Sequence, residues 1–364
     1  MYSLKNGRVS LSSNDSLDHE DNISSHHTNI NVLPNEILIY IFSKLDFESI
    51  QSVEQVCNRW HMLAMSAAVW ENMRLVLCMK NYEQIRDNII PKVASNLKVV
   101  KLQYFKLYNQ IRVSLTTFCP NITHLEISIS HVEFTIFNDL KNWPELRFLS
   151  FRNSAISRTM VDTDRNYVFE IPFKYLLKLE TLVLSNFGLT PTSLFDMLYC
   201  THLCNINMDK MKNIPSQFLE SLISSKLHVL RNLCIYGDTL TDDIMKLLSQ
   251  CTALCILHIT TCKSLFDFSL LRLGKLKGLK SLKLRHGYFS TQTLITYFSN
   301  NIFERLTFLS LSRCLHVSVQ VVLAIKANAP KLTELSFYQC PFVMDVNFDR
   351  SEIEKLFDFP LLLD

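Results

Sequence analysis

From residue 97 onward the apolar positions of this chain follow one template. An L-x-x-L-x-L frame, with other large apolar residues allowed, appears as Leu97-Val100-Leu102, Ile122-Leu125-Ile127, Leu146-Leu149-Phe151, Leu179-Leu182-Leu184 and Leu203-Ile206-Met208. It continues as Leu230-Leu233-Ile235, Leu254-Leu257-Ile259, Leu279-Leu282-Leu284, Leu306-Leu309-Leu311 and Leu332-Leu335-Phe337. Successive copies start 25, 24, 33, 24, 27, 24, 25, 27 and 26 residues apart, a spacing that marks stacked structural repeats. The last two frame positions alternate with polar neighbours, as in a strand with one buried face. Helix signals lie between frames. Thr190 precedes Pro191, Leu194, Met197 and Leu198, and Thr241 precedes Asp242-Asp243, Ile244, Leu247 and Leu248. One strand-helix unit cannot bury its own apolar face. Stacking buries it, so the pattern predicts an α/β fold in which residues 97–340 form a curved solenoid.

Two irregularities interrupt the pattern. The 33-residue interval predicts a loop near residues 154–170 (SAISRTMVDTDRNYVFE) that bulges from the stack. Upstream, Trp70, Met73, Leu75 and Cys78 fit the frame at i, i+3, i+5 and i+8, with Trp70 27 residues before Leu97. This predicts a degenerate first repeat, with residues 76–96 as a junction that shares its core with whatever precedes it. Residues 341–364 are left as a C-terminal cap or tail.

The segment ahead of the repeats has a different period. In Val32-Leu-Pro-Asn-Glu-Ile-Leu-Ile-Tyr-Ile-Phe-Ser-Lys-Leu45, the residues Ile37, Leu38, Ile41, Phe42 and Leu45 recur at helical spacing, and Pro34 stands at the helix entry. A second short helix carries Ile50, Val53, Val56 and Cys57, and Trp60, Leu63 and Trp70 follow. Residues 30–75 thus predict a small helical module, marginal alone and leaning on a partner or on the solenoid. Residues 1–29 are rich in Ser, Asn, Asp and His, too polar to offset the entropy of ordering, and are expected to be disordered.

Composition narrows the function classes. The chain has 364 residues, 48% of them hydrophobic, and 37 basic side chains against 34 acidic, a balance that gives no reason to expect nucleic acid or an anionic membrane as partner. No run of about 18 uncharged apolar residues occurs, and the N-terminus lacks the apolar core of a secretory signal, so a soluble protein of the cytoplasm or nucleus is expected. Six glycines, with neither G-x-G-x-x-G nor G-x-x-x-x-G-K-[ST], argue against nucleotide cofactors. Neither Ser/His/Asp nor H-E-x-x-H signatures appear, so no catalytic residue, cofactor or metal is assigned. The eleven cysteines form no C-x-x-C pair. Cys262, Cys314 and Cys340 stand eight residues after the start of their frames and should turn inward to bond the backbone. Cys251, Cys255 and His258 superficially resemble a ligand set, but their positions before and on one strand read as structural.

The stretch LPNEILIYIFSKLDFESIQSVEQVCNRWHMLAMSAAVW resembles the F-box, through Leu33, Pro34, Glu36, Ile37, Leu38, Ile41, Phe42, Leu45, Val56, Cys57, Trp60, Leu63 and Trp70. The array behind it resembles the cysteine-containing leucine-rich repeats often joined to F-boxes. Asp46-Phe47-Glu48-Ser49-Ile50 departs from the F-box pattern, which usually has Asp-Leu nearer the second helix, and implies altered packing there. The resemblance implies a non-catalytic subunit of a Skp-cullin-F-box E3 ubiquitin ligase. Its F-box would dock on the Skp adaptor, and through it on the cullin and RING subunit, while the repeats hold a protein substrate for ubiquitination. It further implies that Leu33, Pro34, Ile37, Ile41, Leu45 and Val56 meet the adaptor, and that Trp60, Leu63 and Trp70 either do so or brace the module. For the substrate, the solenoid's exposed strand positions are candidates: His258, Lys283, Arg285, Phe308, Glu334 and Tyr338, with Arg313 at a strand exit. Lys283, Arg285 and Arg313 would suit an acidic or phosphorylated segment. The competing reading is a repeat scaffold or inhibitor outside any ligase, which needs no adaptor surface.

Overall fold

The computed structural model describes residues 30–71, 73–78, 80–103, 108–129, 135–153, 168–185, 188–211, 214–341 and 354–362. The expected polar tail 1–29 and residues 154–167 of the insertion lie outside the described residues.

Four short helices open the chain: α1 (Asn35–Phe42), α2 (Phe47–Val53), α3 (Asn58–Ala64) and α4 (Ala67–Trp70). Strand β1 (Arg74–Leu77) follows at once, then β2 (Val99–Gln103), β3 (His124–Ile129), β4 (Phe148–Asn153) and β5 (Val168–Phe169). Next come β6 (Thr181–Ser185), β7 (Gly188–Leu189), β8 (Asn205–Met208), β9 (Asn232–Ile235) and β10 (Ile256–Ile259). The last are β11 (Ser281–Leu284), β12 (Phe308–Ser310), β13 (Glu334–Ser336) and β14 (Leu361–Leu362). Among the described residues, every strand except β5 and β7 joins one parallel sheet in chain order. Helices such as Tyr108–Phe118, Ser216–Lys226, Thr291–Ser299 and Val319–Asn328 connect successive strands.

The register explains the leucine frame. Leu75, Val100, Leu125, Leu149, Leu182, Ile206, Leu233, Leu257, Leu282, Leu309, Leu335 and Leu361 pair strand to strand along the whole sheet. All three apolar positions of all ten frames are buried. Each large side chain so removed from water contributes about 1.5–3 kcal/mol, which no repeat could gather alone. The expected helix caps form: Thr190 accepts from the Ser193 amide at 3.2 Å, and Thr241 from the Ile244 amide at 3.3 Å.

The inward-turning cysteines behave as their positions predict. Cys262 donates to the Ile259 carbonyl, Cys314 to those of Leu284 and Ser312, and Cys340 to that of Leu311. The Cys314 amide in turn donates to Cys340 Sγ at 3.3 Å, so one repeat's thiol ties the preceding repeat's turn. Burial pushes the Cys314 thiol up to about 12, far from the range of a reactive thiolate. Cys251 likewise donates to Leu247, and Cys255 to Ala253, within their own repeat.

One expectation needs correction. The first repeat is real but displaced by two residues: Leu75 pairs with Val100 and Leu77 with Leu102, so Leu75 and Leu77, not Met73 and Leu75, hold the second and third frame positions. Of the cap or tail expected after 341, Leu361–Leu362 supplies a cap strand beside β13. The end of the insertion also has structure: Val168–Phe169 pairs in parallel with Gly188–Leu189 outside the main sheet.

The helical module and the solenoid share a core. One continuous set of buried apolar residues runs from Leu38 through Trp70, Leu75 and Val100 to Phe357.

Candidate functional site

Helix α1 is apolar on two sides, and the structure assigns each side a task. Leu38 and Phe42 are buried in the module. Ile37 and Tyr40 turn outward, 46% and 62% exposed. Pro34 at the entry is exposed with φ −55° and ψ 154°, an extended N-cap conformation, and itself brings no amide that would need a partner. Across the module, Val56 is 56% and Met62 74% exposed, and Val32 is exposed ahead of α1. Leu33, Ile41, Leu45, Trp60 and Leu63 are partly buried against the core. Of the residues expected at an adaptor surface, Pro34, Ile37 and Val56 are thus presented most openly.

Trp70 is a correction to that set. It is fully buried, its Nε1 donates to the Ala64 carbonyl at 2.8 Å, and Phe47 meets it edge-on at 6.3 Å between ring centroids. A ring in that position braces the module and has no surface to give a partner. The same contact accounts for the departure at 46–50: Asp46 caps α2 by accepting from the Ser49 amide at 2.9 Å, and Phe47 fills the space against Trp70.

Sequence reasoning missed Val32, Tyr40, Met62 and Arg59. The first three are large, apolar and exposed, and Tyr40 follows Ile37 by three residues, a spacing that would have placed it on the same face. Arg59 is a positioning residue. Its guanidinium donates to the carbonyls of Asn31 at 2.5 Å and Leu33 at 2.6 Å, and to Asn35 Oδ1 at 2.9 and 2.8 Å. It thereby pins the Leu33-Pro34 entry against α3.

The strand positions picked out in the later repeats are neighbours. His258 pairs with Lys283, Ser281 with Phe308, and Phe308 with Glu334. His258 Nε2 is 2.7 Å from Ser281 Oγ, and its ring lies 6.0 Å from that of Phe308. Burial first, then the Lys283 charge, lowers the His258 pKa from 6.5 to about 4. The folded protein therefore keeps His258 neutral where the unfolded chain protonates it. Its contribution is present above pH 6.5 and is lost as pH falls toward about 4. We predict that His258→Gln makes unfolding free energy fall less steeply between about pH 7 and pH 5 than in the parent; equal slopes in urea titrations would refute it.

Lys283 acts on His258 and Cys234, whereas Arg285 and Arg313 act on His286 at the strand exits. Tyr338 is exposed beside them, and its carbonyl accepts from the Arg313 amide at 2.8 Å. Further back, the same face carries a polar ladder in which Asn205 donates to Thr181 Oγ1 at 3.0 Å and Asn232 to Asn205 Oδ1 at 2.7 Å.

Comparison with known proteins agrees with this division. Residues 30–76 match the F-box-like family. Among solved structures, the chain resembles one in the crystal structure of the Rad7 and Elc1 complex in yeast. The TM-score is 0.53 at 15% identity, over 90% of this chain and 92% of that one. An internalin (inlF) from Listeria monocytogenes is similar over 74% of this chain and 80% of its own, at 16% identity and a TM-score of 0.41. The N-terminal module is F-box-like, and the remainder is a solenoid of the leucine-rich-repeat type.

Proposed function

We propose that the chain is the substrate-receiving subunit of a Skp-cullin-F-box type E3 ubiquitin ligase. The observation that carries this is the F-box-like module's exposed apolar residues, Pro34, Ile37, Tyr40 and Val56, on a body whose core continues into the repeats. Large apolar side chains left exposed on so small a unit favour a protein partner. The module docks on the Skp adaptor, which bridges to the cullin and RING subunit. A shared core means that a substrate held by the repeats keeps a fixed position relative to that adaptor. Fixed geometry raises the effective concentration of a substrate lysine at the ubiquitin thioester, so the chain itself needs no catalytic residue. The repeats are of the cysteine-containing kind, with Cys262, Cys314 and Cys340 as their inward thiols, and the working compartment is the cytoplasm or nucleus. The similar chain in the Rad7 and Elc1 complex was solved with a partner, which supports a chain of this shape working in a complex.

Co-purification of the full-length chain with the Skp adaptor and cullin tests the proposal. The parent is expected to retain both, and Leu33→Ala combined with Pro34→Ala to release them while the far-ultraviolet spectrum stays unchanged. A parent that retains neither would leave a repeat scaffold or inhibitor outside any ligase as the better description.

A further inference from the structure

The near-balance of charge over the whole chain hides a one-sided stretch. Between residues 268 and 333 stand ten basic side chains, among them Arg272, Lys275 and Lys277, against one acidic, Glu304. The first of these cations share a short helix with exposed apolar groups. In Asp267–Arg272, Ser269 and Leu270 are buried, whereas Phe268 and Leu271 are 45% and 41% exposed. Phe268, Leu271, Arg272 and Lys275 lie at i, i+3, i+4 and i+7, one outward face of the helix and of the turn that ends it. The Arg272 guanidinium sits over the Phe268 ring, 5.9 Å from its centroid.

Phe266, just ahead of this helix, departs from the other repeats. Thr190, Thr241 and Ser290 hold the same N-cap position, and each accepts from the amide three residues on, at 3.2, 3.3 and 3.2 Å. Phe266 can accept nothing there. Its ring is 66% exposed and stacks on that of Phe268, 6.0 Å between centroids at an interplanar angle of 8°. The position thus gives up a cap without burying a side chain. Nearby acids leave the ridge cationic. Asp267 accepts from the Ser290 amide and hydroxyl at 2.8 and 2.7 Å, and Asp242 from Ser269 Oγ at 2.5 Å, so on the preceding helix only Asp243 stays exposed. The following helices, Thr291–Ser299 and Val319–Asn328, contain no carboxylate. Among the described residues no ion pair takes up Arg272, Lys275 or Lys277. Lys277 Nζ donates to the neutral Asn301 Oδ1 at 3.0 Å.

We infer that this ridge docks on an anionic membrane surface, a contact separate from that of the N-terminal module. The side chains match both layers of such a surface. Phe266, Phe268 and Leu271 enter the boundary of the acyl chains, while Arg272, Lys275 and Lys277 stay among the anionic headgroups. Among the described residues no helix is long and apolar enough to cross a membrane, so the contact is peripheral. Nucleic acid is the other polyanion that such cations suit. It would need ring faces open to the bases, and Phe266 and Phe268 already turn a face to each other.

Flotation of the full-length chain with phosphatidylcholine vesicles, with and without phosphatidylserine, tests the inference. Phosphatidylserine should tighten binding about tenfold or more, and added salt should weaken it. Lys275→Gln combined with Lys277→Gln should lower the affinity about tenfold or more, each cation at such a surface being worth about a factor of five. Phe266→Ser should weaken binding severalfold and yet leave the denaturation midpoint unchanged or raised, because serine restores the cap. Lys92→Gln, an exposed site in the junction before β2, should bind like the parent. Adaptor capture rests on the N-terminal module and should be the same in all of these chains. Equal affinity for the two kinds of vesicle, ridge variants that bind like the parent, or a destabilised Phe266→Ser chain would overturn the inference. Release from the vesicles by a DNA oligonucleotide or by polyglutamate at matched charge would overturn it in favour of a nucleic acid or an acidic protein.

Discussion

Trp70→Ala should lower the unfolding free energy by about 3–5 kcal/mol, the usual cost of emptying a fully buried aromatic site. Three losses coincide there. The ring fills the space where α2 and α4 meet β1, it meets Phe47 edge-on, and its Nε1 satisfies the Ala64 carbonyl at 2.8 Å. Alanine leaves a cavity and an orphaned buried carbonyl together. Because Leu75 and Leu77 follow Trp70 directly and pair with Val100 and Leu102, the damage should not stay inside the module. Chemical denaturation followed by circular dichroism should show the main transition moved to lower denaturant. An early transition confined to the helical residues, with the solenoid transition unmoved, would refute a shared core. The same reasoning warns against a version of the chain cut at residue 80. Removing β1 strips Val100 and Leu102 of their cover and opens a sheet edge.

The parts of this fold that the sequence announced are those where burial is periodic and the alternatives are polar. Leu282 and Leu284 stand between polar neighbours, Ser281, Lys283 and Arg285, so only one register buries both, and the structure adopts it. The first repeat resisted because Trp70 and Met73 are apolar and buried like Leu75 and Leu77, while the frame that pairs with β2 begins at Asn72, where leucine would mark a repeat. The strand Leu361–Leu362 was hidden in the same way, since Asp358 occupies the first frame position. The left-handed turns at His286, Arg313 and Gln339, with φ of 56°, 55° and 54°, carry no composition signal, because such φ values ordinarily belong to glycine or asparagine. The cysteine positions were legible through spacing alone. On α1 the apolar stripe was visible, but its division into Leu38 and Phe42 inside and Ile37 and Tyr40 outside depends on how α3 packs across α1. That packing is fixed by Arg59, whose bonds to residues 24 to 28 positions earlier no local pattern encodes.

That division lets docking be removed without removing the fold. Ile37→Asp combined with Val56→Asp is expected to weaken capture of the Skp adaptor by two to four orders of magnitude. Each native side chain contributes about 1.5–3 kcal/mol when a partner covers it, and about 1.4 kcal/mol is a factor of ten in affinity. An aspartate in the same place adds the cost of covering an unpaired charge. The free chain should scarcely notice. Both positions are about half exposed, 46% and 56%, so the carboxylates remain in water and the unfolding free energy should stay within about 0.5 kcal/mol of the parent. Titration of immobilised adaptor with parent and variant measures the first quantity, and denaturation the second. A change in affinity below tenfold at unchanged stability would mean that α1 turns its open face to something other than the adaptor. Paired with Trp70→Ala, which should lose stability first and binding only as a consequence, the double variant separates what the module's apolar residues do for the fold from what they do for a partner.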